Sequence, residues 1–169
     1  MVLELNRGDV FGTKNPMALG KVINAIQWVW SHDGESRYSH SGIILDPLGT
    51  TFEALWTCKS QNLFDCYEEE QVIIARYTGG KMMPMDTAIK QLLEEHGGKV
   101  YPFWRLLLHL VPPLAKINMS QRPVCSELVA KYSWLIGGRH EQWAGASPDM
   151  LADEWRRWDN WEVIYEGKL

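Results

Sequence analysis

The stretch "SRYSHSGIIL", residues 36–45, and the "TTFEALW" at 50–56 decide how this chain is read. Each is a short apolar run, and "DPLG" at 46–49 stands between them. Two such runs around a turn carrying Pro47 and Gly49 predict a β-hairpin. If Leu45 pairs with Thr50 across that turn, His40 stands opposite Leu55. Glu53, two residues earlier, then becomes the diagonal neighbour of His40 on the same face. A slip of one residue would send Glu53 to the other face. Glu53 is either a solvated strand residue or, given its flanks Phe52, Ala54 and Leu55, a partly buried carboxylate that needs a partner. His40 has a matching need, because a histidine base requires one ring nitrogen held so that the other can take a proton.

Outward from the hairpin, the chain alternates helix and strand signals. "RGDVFGT" at 7–13 predicts a first strand. Asn15 as N-cap and Pro16 at the first helical position open an amphipathic helix to about Trp30, with Leu19, Val22, Ile23, Ile26 and Trp30 at helical spacing. "QVIIARY" at 71–77 predicts another strand, closed by Gly79 and Gly80. A helix is expected from about Asp86 to His96 with a glycine stop. "CSELVAKYSWLIGG" at 125–138 predicts a helix of about three turns ended by a glycine pair. Ser147 and Pro148 start another, and "WEVIYEG" at 161–167 predicts a last strand. With no repeats, low-complexity tracts or linker, residues 1–169 read as one α+β domain with helices among antiparallel strands.

Composition narrows the function classes. The 169 residues are 46% hydrophobic and 22% charged, with a formal charge of -4. That is a globular balance, long enough to bury a core. No basic block is present, and "EWRRW" at 154–158 is too short to serve as one, so nucleic acid is not an expected partner. The apolar stretch "FWRLLLHLVPPLA" at 103–115 contains Arg105 and His109 and ends at a proline pair, too short and too broken to span a bilayer. No signal peptide is legible. Three cysteines, Cys58, Cys66 and Cys125, make no disulfide framework. A cytoplasmic location is the default expectation, with export by a separate route the alternative. Nine tryptophans read first as core and rim packing, and second as an aromatic surface for lipid or glycan.

Among the residues able to do chemistry, Cys125 is the best placed. It opens a helix, where unpaired backbone N–H groups and the positive end of the helix dipole favour a thiolate. The same N–H groups can stabilise an oxyanion. The plainer fate of a free cysteine is burial as a small hydrophobe. Cys58 and Cys66 lie in loop-like or strand-end sequence without such support. Cys58 and Cys66 with His32 or His140 match no zinc spacing, so no metal is expected. "CYEEEQ" at 66–71 reads as a solvated face, and His96 and His109 as helix-end or packing residues. The paired glycines match no phosphate-binding fingerprint, and no cofactor is implied.

Taken together, "GDVFGT", "SRYSHSGIIL", "TFEAL", "GGKVYPFW" and "VCSELVAKYSW" resemble the circularly permuted branch of the NlpC/P60 papain-like cysteine hydrolases. That branch includes YiiX- and YebB-type proteins, with lecithin:retinol acyltransferases as more distant relatives. In it the histidine strand precedes the cysteine helix, as it does here. The likeness runs from about residue 7 to 152, and its specific parts are the His and Cys segments. It implies a permuted papain-like fold, with an antiparallel sheet packed against helices. It implies further that Cys125 is the nucleophile, His40 the base and Glu53 the polar third member. Tyr101 matches a family tyrosine close to the site. The family's "SHVGI" is "SHSGI" here, which leaves the histidine in place, while the 103–115 insert and the Trp-rich end have no family match.

The expected activity is hydrolysis of an amide bond in a peptidoglycan-like or peptide-like substrate, through an acyl-enzyme. A lipid-directed acyl hydrolase or acyltransferase is the alternative, with peripheral membrane contact through 16–30, 103–115 and the tryptophans. A non-catalytic binding module on the same fold is the third.

Overall fold

The computed structural model describes residues 3–14, 37–55, 57–100, 124–139 and 143–169. The expected helix at 16–30, Tyr101, the 103–115 segment, His32, His109 and His140 lie outside the described residues. Six strands are described: β1 (Val10–Thr13), β2 (His40–Ile44), β3 (Thr50–Ala54), β4 (Cys58–Asn62), β5 (Gln71–Tyr77) and β6 (Trp161–Lys168). They form one antiparallel sheet in the order β4-β3-β2-β1-β5-β6. Four helices accompany them among the described residues: α1 (Leu63–Cys66), α2 (Met85–His96), α3 (Cys125–Ile136) and α4 (Pro148–Arg157). The chain is therefore an α+β protein.

The hairpin has the register that places Glu53 beside His40. Leu45 N–H donates to the Thr50 carbonyl at 2.6 Å, and Gly42, Ile43 and Ile44 pair with Glu53, Phe52 and Thr51. Because side chains alternate along a strand, the sheet divides its apolar residues between two faces. Val10, Ile43, Phe52, Ala54, Ile73 and Ala75 join Leu92, Leu128, Val129, Tyr132 and Trp155 of the helices in the larger core. Leu5, Phe11, Ile44, Leu63, Tyr67, Val72 and Ile74 form a second cluster. Both faces of the central strands are thus covered, and every residue of β1 and β2 is buried.

The helix boundaries follow local chemistry. Ser147 Oγ accepts the Met150 N–H at 3.1 Å, and Pro148 occupies the first turn of α4. α3 stops at Gly137, whose φ of 87° is left-handed; its N–H and that of Gly138 close on the Trp134 and Ser133 carbonyls. That is a glycine C-terminus of the kind the sequence signals. Of the described tryptophans, Trp155 and Trp161 are buried, Trp143 and Trp158 pack against the core, and Trp134 is exposed.

Two elements differ from the sequence reading. β4 and α1 replace what reads as loop around Cys58 and Cys66. β4, "CKSQN", is polar and buries Cys58 alone, so it carries no apolar alternation. It forms because the backbone of β3 offers a sheet edge, in the register Thr51↔Gln61 and Glu53↔Lys59. α1 starts where the Asn62 side chain accepts the Phe64 and Asp65 N–H groups at 2.9 and 3.3 Å.

Candidate active site

His40 is the first residue of β2, and its start-of-strand position is tied to β1 through the pair Thr13↔His40. Its Nε2 lies 2.6 Å from Glu53 Oε2. Both groups are removed from solvent, with His40 1% and Glu53 0% exposed. The Cys125 side chain also lies close enough to the imidazole to act on its protonation. With Nε2 engaged by Glu53, Nδ1 is left as the ring nitrogen for a further partner. The structure therefore brings together three of the residues singled out from the sequence, from β2, β3 and the first turn of α3.

The electrostatics are those of a coupled buried set. Burial alone would lower the His40 imidazole, since it disfavours the charged form. The nearby Cys125 sulfur, and then the hydrogen bond and charge of Glu53, outweigh burial and raise His40 to about 10. Burial pushes Glu53 up, but the His40 hydrogen bond and charge, with the Thr51 and Tyr67 hydroxyls, hold its carboxyl below the usual range. Cys58 also lies within the field of Cys125. Burial first, and then the Cys125 charge, push the Cys58 thiol up to about 11, against a smaller opposing effect of Lys99.

Glu53 is enclosed by donors. Its Oε2 accepts from Tyr67 Oη at 2.6 Å and Gln61 Nε2 at 3.0 Å, in addition to facing His40. Its Oε1 accepts from the Thr51 hydroxyl. Gly42 makes room for this arrangement, since a Cβ there would sit 2.7 Å from Glu53 Cγ and 2.6 Å from Phe11 Cε1. Sequence reading missed Gly42, Thr51, Gln61 and Tyr67. Thr51 was within reach, because it shares the Glu53 face of β3 two residues away. Gln61 and Tyr67 depend on β4 and α1, which give no periodic signal.

The start of α3 is fastened by Glu127, whose buried carboxylate accepts the Val124 N–H at 3.1 Å and the Gly145 N–H at 3.0 Å. This holds the turn that carries Cys125, whose N–H lies where helix N–H groups have no intrahelical acceptor. Among the described residues, no three His, Cys, Asp or Glu side chains are grouped so as to hold a metal ion. None of the described helices is long and apolar enough to cross a membrane.

No protein-family model matches the chain, and no curated protein does so. A solved structure does: the crystal structure of the metalloprotein yiiX from Escherichia coli O157:H7, DUF1105. The two are 19% identical with a TM-score of 0.58, over 98% of this chain and 88% of that one. At that identity the likeness is one of fold, and the word metalloprotein describes the neighbour. The α+β chain described here has a YiiX-like fold.

Proposed function

We propose that the chain is a cysteine-dependent hydrolase of the permuted NlpC/P60 papain-like type, cutting an amide bond in a peptide-like substrate such as peptidoglycan. The observation that carries this reading is the buried group Glu53, His40 and Cys125, in which one ring nitrogen is held by a carboxylate and a thiol near the ring acts on its protonation. A nucleophile, a base and an orienting group in that order are what covalent acyl transfer requires.

The chemistry runs as follows. His40 and Cys125 form an imidazolium–thiolate pair, with Glu53 stabilising the positive ring. The sulfur attacks the carbonyl carbon, and the Cys125 N–H donates to the developing oxyanion. His40 delivers its proton to the leaving nitrogen, the C–N bond breaks, and a thioester remains. Water then gives a proton to His40 and attacks the thioester carbonyl, and the C–S bond breaks to free the acid and restore the imidazolium–thiolate pair. The lipid-directed alternative draws on 16–30 and 103–115, outside the described residues.

The test is alkylation of wild-type, Cys125→Ser and His40→Ala proteins by a thiol-directed acyl probe, followed by mass analysis of muropeptides incubated with each. Cys125 should label faster than the exposed Cys66, and His40→Ala should slow it. Equal labelling of Cys125 and Cys66, with no effect of His40→Ala, would remove the enzyme reading.

A further inference from the structure

Glu53 is held by more donors than orienting His40 needs, and one of them comes from outside the sheet. Tyr67 follows α1, is buried, and packs its ring 5.7 Å from Phe11 and 6.0 Å from His40, centroid to centroid. Its hydroxyl donates at 2.6 Å to Glu53 Oε2, the oxygen that faces His40. Gln61 Nε2 braces both partners, donating to Glu53 Oε2 at 3.0 Å and to Tyr67 Oη at 3.2 Å. Burial first, and then the charge of Glu53, push the Tyr67 phenol far above its ordinary value, so it stays a donor.

An ionised carboxylate with no solvent around it persists only where donors replace water. We infer that Tyr67 is a positioning residue of the site, fixing Glu53 Oε2 against His40 Nε2 and keeping that carboxylate ionised. This rests on the reading of His40 and Cys125 as the reacting pair. Removing the hydroxyl leaves Glu53 easier to protonate, and once it is neutral the imidazolium has lost one of its two counter-charges. The reactive pair then collapses at a higher pH than in the intact protein. Among the described residues, Cys125 from α3 acts on His40 and Cys66 from α1 acts on Tyr67, while Lys59, the register partner of Glu53 on β4, is exposed.

The experiment is the pH profile of Cys125 alkylation by iodoacetamide in the full chain, comparing wild type, Tyr67→Phe, His40→Ala and Tyr77→Phe. Tyr67→Phe should move the acid limb up by about half to one pH unit. Labelling one unit below the wild-type half-point should then fall about three- to tenfold, while the plateau rate stays within about threefold. Tyr77→Phe removes a buried hydroxyl that donates to Gly80 O at 2.8 Å and should give the wild-type profile. If Tyr67→Phe fails to fold, 3-fluorotyrosine at position 67, a stronger donor of nearly the same shape, should move the limb down instead. An unshifted limb in the replacement that folds, including a uniform loss at every pH, overturns the inference while leaving the catalytic reading intact. Labelling that His40→Ala does not slow overturns both.

Discussion

Replacing Glu53 with Gln separates the charge of the buried carboxylate from its shape. With the amide oxygen in the place of Oε2, it keeps an acceptor facing His40 and Tyr67. Its NH2 then meets the Thr51 hydroxyl, which can turn its hydrogen to the Gln61 carbonyl 3.1 Å away and accept from the new amide. The surroundings stay hydrogen-bonded, and the imidazolium keeps only the Cys125 thiolate as counter-charge. Hydrogen bonds to charged groups contribute about 1.5–3 kcal/mol, against about 1 for neutral ones. The difference, roughly 0.5–2 kcal/mol, corresponds to about a 2- to 30-fold loss in the rate of Cys125 alkylation at neutral pH. Glu53→Ala, by contrast, orphans several buried donors and should cost about 3–5 kcal/mol of stability. The assay is alkylation rate alongside thermal melting: Glu53→Gln should lose rate with little change in Tm, and Glu53→Ala should lose both. A Glu53→Gln protein that labels at the wild-type rate would show that the carboxylate's charge does not reach the thiol, and the reasoning would fall.

Gly42→Ala should lower the melting temperature, because its Cβ meets Glu53 Cγ at 2.7 Å and Phe11 Cε1 and Cζ at 2.6 and 2.8 Å. Overpacking of this kind costs about 1–3 kcal/mol, at about 2–4 °C each for a chain of this size. Adding Phe11→Leu should recover part of the loss, and an unchanged Tm in Gly42→Ala would refute the crowding argument. His96, 1% exposed, is lowered to about 4 by burial first and then by the Lys131 charge. The unfolded chain accepts a proton below about 6.5 that the native chain refuses, so this residue removes stability progressively from pH 6.5 to about 4. His96→Gln should therefore lose less Tm than wild type across that window, and parallel pH dependences would count against the assignment.

How much of this was legible depends on where the signal resides. The β2–β3 register is readable because "DPLG" ties Leu45 to Thr50, and strand parity then carries Glu53 to the side of His40. The helix of Cys125 is readable because its apolar spacing ends at a glycine pair. β4 escapes such reading because backbone pairing to β3, rather than its own side chains, makes it a strand. Tyr67 escapes for a related reason: it reaches Glu53 only after β4 and α1 have turned the chain back. Gly42 looks like an ordinary strand glycine until the crowding by Phe11 and Glu53 is seen in three dimensions.

The position of β1 has a consequence for biosynthesis. The first of the described strands lies in the middle of the sheet, with β2 on one side and β5 on the other. One flank of β1 therefore stays unpaired until residue 71 and beyond have left the ribosome. Non-local pairings of this kind slow folding and expose strand edges in the interim. The thiol of Cys125 is translated later still, after β5 is available to close that flank. A nascent chain arrested before α3 thus holds the His40–Glu53 pair without the thiol that joins it later.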